Sequence, residues 1–145
     1  MIALIQRVSC ASVRVEQQLL GEIGVGLLAM IGVLQGDDAS QADRLLQRVL
    51  DFRVFADAAG RMNRSLRDVQ GGLLLVPQFT LAAETERGNR PGFSRAAAPA
   101  TAAALYDHLL ARALESHGRV ASGRFGASMQ VSLINDGPVT FWLQS

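Results

Sequence analysis

Lysine is absent from this 145-residue chain; all 14 basic side chains are arginines. Schiff-base chemistry, a phosphate-binding Walker lysine and a lysine general base are therefore excluded. Cysteine is nearly absent. The single Cys10 rules out an internal disulfide and a cysteine-cluster metal site, and one free thiol is compatible with a reducing cytosol. Net charge is close to zero, at +1, so no broad electrostatic grip on nucleic acid is advertised and any polyanion must meet a local patch. The uncharged stretch from Gly24 to Gly36 carries four glycines and falls well short of the roughly 20 apolar residues that cross a bilayer. Gln6 and Arg7 interrupt the apolar start, which is not the layout of a signal peptide. What is present is 49% apolar and 19% charged, the composition of a compact globular chain of one domain's length. The expectation is a soluble, cytoplasmic, single-domain protein spanning residues 1–145.

Hydrophobic periodicity supplies the elements. Met1 to Val8 and the alternating Ser12 to Glu16 read as strand, and Leu19 to Ile23 as the return of a short hairpin whose turn type is not legible. Val25 to Leu34 fits a buried strand better than a helix, because each interior glycine costs a helix about 1 kcal/mol. Ser40 with Asp43 resembles a capping box opening a helix whose buried stripe is Ala42, Leu45, Leu46, Val49 and Leu50. Strands are expected at Phe52 to Phe55 and Gly72 to Leu81. Pro99 opens a second helix, ending at Gly118, with Ala102, Leu105, Tyr106, Leu109, Leu110, Ala113 and Leu114 on one face. Met129 to Ile134 and Val139 to Leu143 read as a terminal β-hairpin. The class is α+β: a mainly antiparallel sheet or barrel with two principal helices, not a parallel βαβ design.

The usual catalytic constellations fail. His108 falls on the polar face of the second helix, where a solvated role suffices, and His117 sits in its last turn, where a cation suits the helix dipole. Neither has a second metal ligand one turn away. Gly24 and Gly26 lack the third glycine of a nucleotide loop and read as strand bends. Two segments remain unusual. In Val76-Pro77-Gln78-Phe79-Thr80-Leu81, proline removes a ladder donor, so the strand ends or lies at an edge there. In Asn135-Asp136-Gly137-Pro138-Val139-Thr140, Asp136-Gly137 reads equally as a plain hairpin turn, and a cis peptide does not follow from the residues.

Taken with Ile5-Gln6-Arg7-Val8, Gly21-Glu22-Ile23-Gly24, Arg61-Met62-Asn63, Arg87-Gly88-Asn89-Arg90-Pro91 and Gly123-Arg124-Phe125-Gly126, these two segments resemble, along the whole chain, the D-aminoacyl-tRNA deacylases of the bacterial and eukaryotic type. The resemblance implies a homodimeric hydrolase that cuts the ester between a D-amino acid and the 3′-terminal adenosine of tRNA; no cofactor is expected and no metal ligands are assigned, and the residues do not say whether a metal assists. It implies that Gly137-Pro138 has a cis peptide and enters the partner's pocket to select chirality, that Arg7 supports this loop, and that Gln78, Phe79 and Thr80 form the catalytic wall. Pro77, Arg87, Arg90, Met129 and Asn135 are the implied substrate- and tRNA-binding positions, Met129 beside the terminal adenine. Glycyl-tRNA follows as a side substrate, because a filter that excludes side chains does not exclude glycine. Thr80 as nucleophile would need a base that neither histidine obviously supplies, which favours the substrate's own 2′-hydroxyl with backbone N–H groups around Phe79 and Thr80 as the oxyanion site. The chain departs from the family at Pro77, where a serine is usual, and more peripherally at Gly92 and Ser128. Pro77 favours the alternative of a non-catalytic dimeric module that binds aminoacyl-tRNA or a D-amino acid. Arg61, Arg64 and Arg67 read equally as solvated loop residues, whereas Arg87, Arg90 and Arg95 neighbour the signature segment and suit the phosphates of the acceptor end.

Overall fold

A computed structural model describes residues 1–86 and 88–145. Its spine is one long strand, β1 (Ile2–Val15). Along one edge β1 pairs first with β3 (Gly26–Gly32) and then with β2 (Gln18–Ile23); along the other it pairs over nearly its full length with β8 (Gln130–Gln144). The β1–β2 hairpin turns through Glu16 and Gln17, both in the left-handed region (φ 48° and 67°), a turn for which neither side chain is a signal. β6 (Gly72–Pro77) pairs with β3, and β7 (Val120–Ser122) with β6, both in parallel. The side chain of Ala121 in β7 lies against Gly21 in β2, which brings the ends of the sheet together and nearly closes a barrel.

The α+β class and the mainly antiparallel barrel hold, and the sheet is mixed: two of its pairings, β3–β6 and β6–β7, are parallel and joined by helical crossovers. Helix α1 (Ala39–Asp51), the small β4–β5 pair (Phe55–Ala56, Met62–Arg64) and the short α2 (Leu66–Val69) lie on the crossover from β3 to β6. Helix α3 (Pro99–Ser116) lies on that from β6 to β7. Unbroken apolar runs such as Leu27–Ala29 and Leu73–Val76 are what strands buried on both faces require. One face packs Leu27, Leu73 and Leu75 against the α1 stripe and Tyr106 and Leu109 of α3; the other points Val8, Val13, Leu28, Leu74 and Val76 into the barrel.

Three local expectations change. The α1 cap is Asp38, not Ser40: its carboxylate accepts the Gln41 N–H while the Gln41 side chain accepts the Asp38 N–H. In α3, Leu114 is 60% exposed and leaves the buried stripe, while the Tyr106 hydroxyl donates to the Leu75 carbonyl at 2.9 Å, and burial pushes its pKa up. The strand expected over 72–81 stops at Pro77 and continues as a 3₁₀ turn, Phe79–Ala82. Leu73 N–H bonds the Arg119 carbonyl and Gly123 N–H the Leu75 carbonyl, so an N–H at position 77 would face Gly123, one residue beyond β7. Proline costs the ladder little there.

Candidate active site

The end of β6 builds one wall of a cavity of about 470 Å³. Gln78 N–H is anchored on the Ile31 carbonyl at 2.7 Å, and the chain then tightens into the 3₁₀ turn. Pro77, Gln78 and Phe79 line the cavity on this side; Phe125, Met129 and Val131 line it opposite. A cavity of this size and apolar lining suits one small, flat ligand. Thr80 follows on the exposed rim, and its hydroxyl accepts from the Gln78 side-chain amide. Among the described residues, no hydrogen bond occupies the N–H of Phe79 or of Thr80, as the start of a helical turn leads one to expect.

The Asn135–Thr140 segment has a different role in the fold from the one expected. It does not reverse the chain. Ile134 pairs with Cys10 and Phe141 with Ile5, so both halves of β8 follow the same neighbour, and residues 136–139 are extruded opposite Arg7. The terminal hairpin is thus a single strand with a large bulge, a device that re-aims backbone groups beside a site. Two side chains fix the bulge. Arg7, whose side chain is 16% exposed, donates from Nε to the Asp136 carbonyl at 3.0 Å and from Nη1 to the Val54 carbonyl at 2.6 Å, with the Asp136 carboxylate 3.2 Å from Nε. Asn135 accepts the Val139 N–H at 2.9 Å and donates to the Thr140 hydroxyl at 2.8 Å. At the tip, the exposed Gly137–Pro138 peptide is cis and Gly137 has φ +139°.

The two segments do not meet within one chain. Pro77 is level with Ile31 and Ala3, whereas the bulge is level with Arg7, four residues along β1, a displacement of about 13 Å along the strands. It is also three strands across, from β6 through β3 and β1 to β8, roughly a further 14 Å.

Of the expected site residues, Pro77, Gln78, Phe79 and Met129 come together at the cavity, and Arg7, Asn135, Gly137 and Pro138 at the bulge. Arg90 is exposed in a separate cleft with Arg95, Glu84 and Glu86. Arg87 lies outside the described residues. Arg67 is tied to Asp51, Gln47 and the Ser116 carbonyl, and Arg64 to the Asp68 carbonyl, so these two serve the fold. Arg61 and Asn63 help close a turn on Asp57, whose carboxyl is held below its ordinary value by the Arg61 N–H and then the Asn63 amide. His108 is not merely solvated; it bonds Asp43 at 2.9 Å and links α3 to α1. His117 caps α3 and bonds the Gly71 carbonyl at 2.7 Å. Sequence reasoning does not single out Phe125 and Val131 as cavity walls or the Val54 carbonyl as an anchor for Arg7; of these, only Phe125 carries a signal, its place in Gly123-Arg124-Phe125-Gly126.

The chain matches the D-Tyr-tRNA(Tyr) deacylase family over residues 4–144. It is 60% identical to the D-aminoacyl-tRNA deacylase of Thioalkalivibrio sulfidiphilus across 99% of this chain and 97% of that protein. It is 59% identical to the D-aminoacyl-tRNA deacylase of Stutzerimonas stutzeri across the whole of both. Among solved structures it is similar to a c-Myc DNA unwinding element binding protein, with TM-score 0.95, 35% identity, and coverage of 100% of this chain and 99% of that one. It shares the fold of a probable eukaryotic D-amino acid tRNA deacylase, with TM-score 0.84, 19% identity, and coverage of 99% and 98%. The full-length relatives named deacylases make this chain a hydrolase. The chain belongs to the D-aminoacyl-tRNA deacylase family, and is an enzyme rather than the non-catalytic module that Pro77 suggests.

Proposed function

We propose that this hydrolase cleaves the ester between a D-amino acid and the 3′-terminal adenosine of tRNA, as an L-sparing proofreader in the cytoplasm, acting as a homodimer. The names of its relatives support the substrate class. The observation that carries the finer reading is the braced Gly137-Pro138 bulge, which is built with care yet stands far from the cavity of its own chain. A second copy would supply that bulge to the cavity, completing the site between subunits.

Chirality is then read by exclusion. Apolar contacts discriminate by only about 1–3 kcal/mol per methylene, so attraction cannot recognise every D side chain and refuse every L one. Main chain placed where an L side chain projects refuses them all alike. Gly137 presents backbone there without a side chain of its own, and Arg7 and Asn135 keep it in place. The adenine fits against Met129 and Phe125, with Gln78, Phe79 and Thr80 beside the ester. The N–H groups of Phe79 and Thr80, unpaired among the described residues, are suited to a developing oxyanion, and the 2′-hydroxyl next to the ester positions the attacking water. Pro77 supplies apolar wall where a serine would supply a hydroxyl. Arg87 and Arg90 remain candidates for the acceptor strand.

Purified protein incubated with D-tyrosyl-, glycyl- and L-tyrosyl-tRNA tests this reading. Ester loss is expected from the first two and not from the third. Equal loss from both tyrosyl enantiomers, or glycyl-tRNA as resistant as L-tyrosyl-tRNA, would overturn the exclusion mechanism.

A further inference from the structure

Phe79 and Phe93 are large apolar side chains that the fold leaves in water, 57% and 39% exposed. They form a pair, with ring centroids 5.2 Å apart and planes tilted by 49°. Phe79 starts the 3₁₀ turn and lines the cavity; Phe93 comes from the loop that returns past it. That loop's described residues 84 and 92–95 are held in place. Glu84 and Gly92 exchange backbone hydrogen bonds of 2.8 and 3.1 Å, the Ser94 hydroxyl donates to the Glu84 carboxylate, and Gln35 N–H bonds the Arg95 carbonyl at 2.8 Å. An exposed aromatic pair, continuous with the wall of a cavity, marks a contact surface rather than scattered surface apolarity.

We infer that the Phe79–Phe93 pair is a stacking platform for the unpaired nucleotide that precedes the terminal adenosine. The inference rests on the proposed deacylase reading and extends it to how the polynucleotide is held. If the cavity takes the terminal nucleoside, the chain leaves past Phe79, and the next base meets the exposed rings. Single-stranded bases are held by aromatic faces with little regard to sequence, because every base has a π-face. Charge is the weaker candidate for the grip. The neighbouring cleft sets Arg90 and Arg95 against Glu84 and Glu86, so its described charges largely offset one another. A stacking hold that ignores base identity suits an enzyme that must accept many tRNAs with a common unpaired end.

The test compares two D-tyrosyl esters, one on adenosine alone and one on a cytidyl-cytidyl-adenosine trinucleotide, with wild type, Phe93→Ala, Phe93→Leu and Phe93→Trp. Phe93→Ala is expected to raise KM for the trinucleotide ester about 10-fold, with kcat within about twofold, in line with stacking measured by alanine substitution. The adenosine ester should be cut as by wild type, which also shows that the variant is folded. Phe93→Trp should restore the low KM and Phe93→Leu should not. If Phe93→Ala slows both esters equally, or Phe93→Leu behaves as wild type, the ring serves packing or the subunit contact and the platform is refuted. Wild-type inactivity on both esters would instead remove the deacylase reading beneath it.

Discussion

Gly137→Ala is expected to lower kcat/KM for D-tyrosyl-tRNA by about 100-fold, the scale on which a displacement of about 1 Å at a reacting group is felt. At φ +139° an L side chain is strained. A Cβ there would stand 2.6 Å from Val139 Cγ2, 2.9 Å from the Val139 nitrogen and 3.2 Å from Arg7 Nη2. Two of these neighbours cannot simply step aside. The Val139 N–H is committed to Asn135, and Arg7 is committed to the Val54 and Asp136 carbonyls. The bulge must therefore shift as a unit. Because it is exposed, thermal stability should change little, and the D-to-L rate ratio should collapse along with the rate. Arg7→Lys should move in the same direction, because an ammonium cannot reproduce a fork that reaches two carbonyls in different directions. Wild-type rate and selectivity in Gly137→Ala would exclude the bulge from the site.

D-tyrosyl-tRNA ending in 2′-deoxyadenosine is expected to be hydrolysed about 10² to 10³ times more slowly than the natural ester, the range in which loss of one group acting on the transition state falls. Thr80→Ala, by contrast, should stay within about threefold of wild type. The contrast follows from what surrounds Thr80. Its hydroxyl receives a hydrogen bond from the Gln78 amide, which gives it no base to accept its proton. Both histidines are engaged elsewhere, His108 on Asp43 and His117 on the Gly71 carbonyl. The reverse pattern, a crippled Thr80→Ala and an intact 2′-deoxy substrate, would restore threonine as the nucleophile. The kinetics of initial ester loss from the two tRNAs decide the matter.

Much of the fold is legible because its signals are local. Five apolar residues at helical spacing in α1 are all buried, and Pro99 stands at the first turn of α3, as the pattern demands. Pro77 does end its strand. What is not legible depends on partners distant in sequence. Nothing local in Leu27 or Leu73 states that their strands run parallel; that emerges when α1 and α3 cover one face. Asn135 to Thr140 has every local mark of a turn, and only continuous pairing with β1 on both sides makes it a bulge. Arg7 braces a loop 129 residues away, which no spacing rule contains. The cavity residues Phe125 and Val131 look like ordinary strand and loop apolar residues until Met129 and Phe79 face them.

A crystal structure of the protein with a non-hydrolysable 3′-amide of D-tyrosine and adenosine examines the chirality filter most directly. The amino acid should lie between Gln78–Thr80 of one subunit and the Gly137-Pro138 carbonyls of the other, its side chain directed outward and its α-hydrogen toward the loop. A ligand bound in the cavity with both Gly137-Pro138 loops turned to bulk solvent would contradict a filter made of main chain.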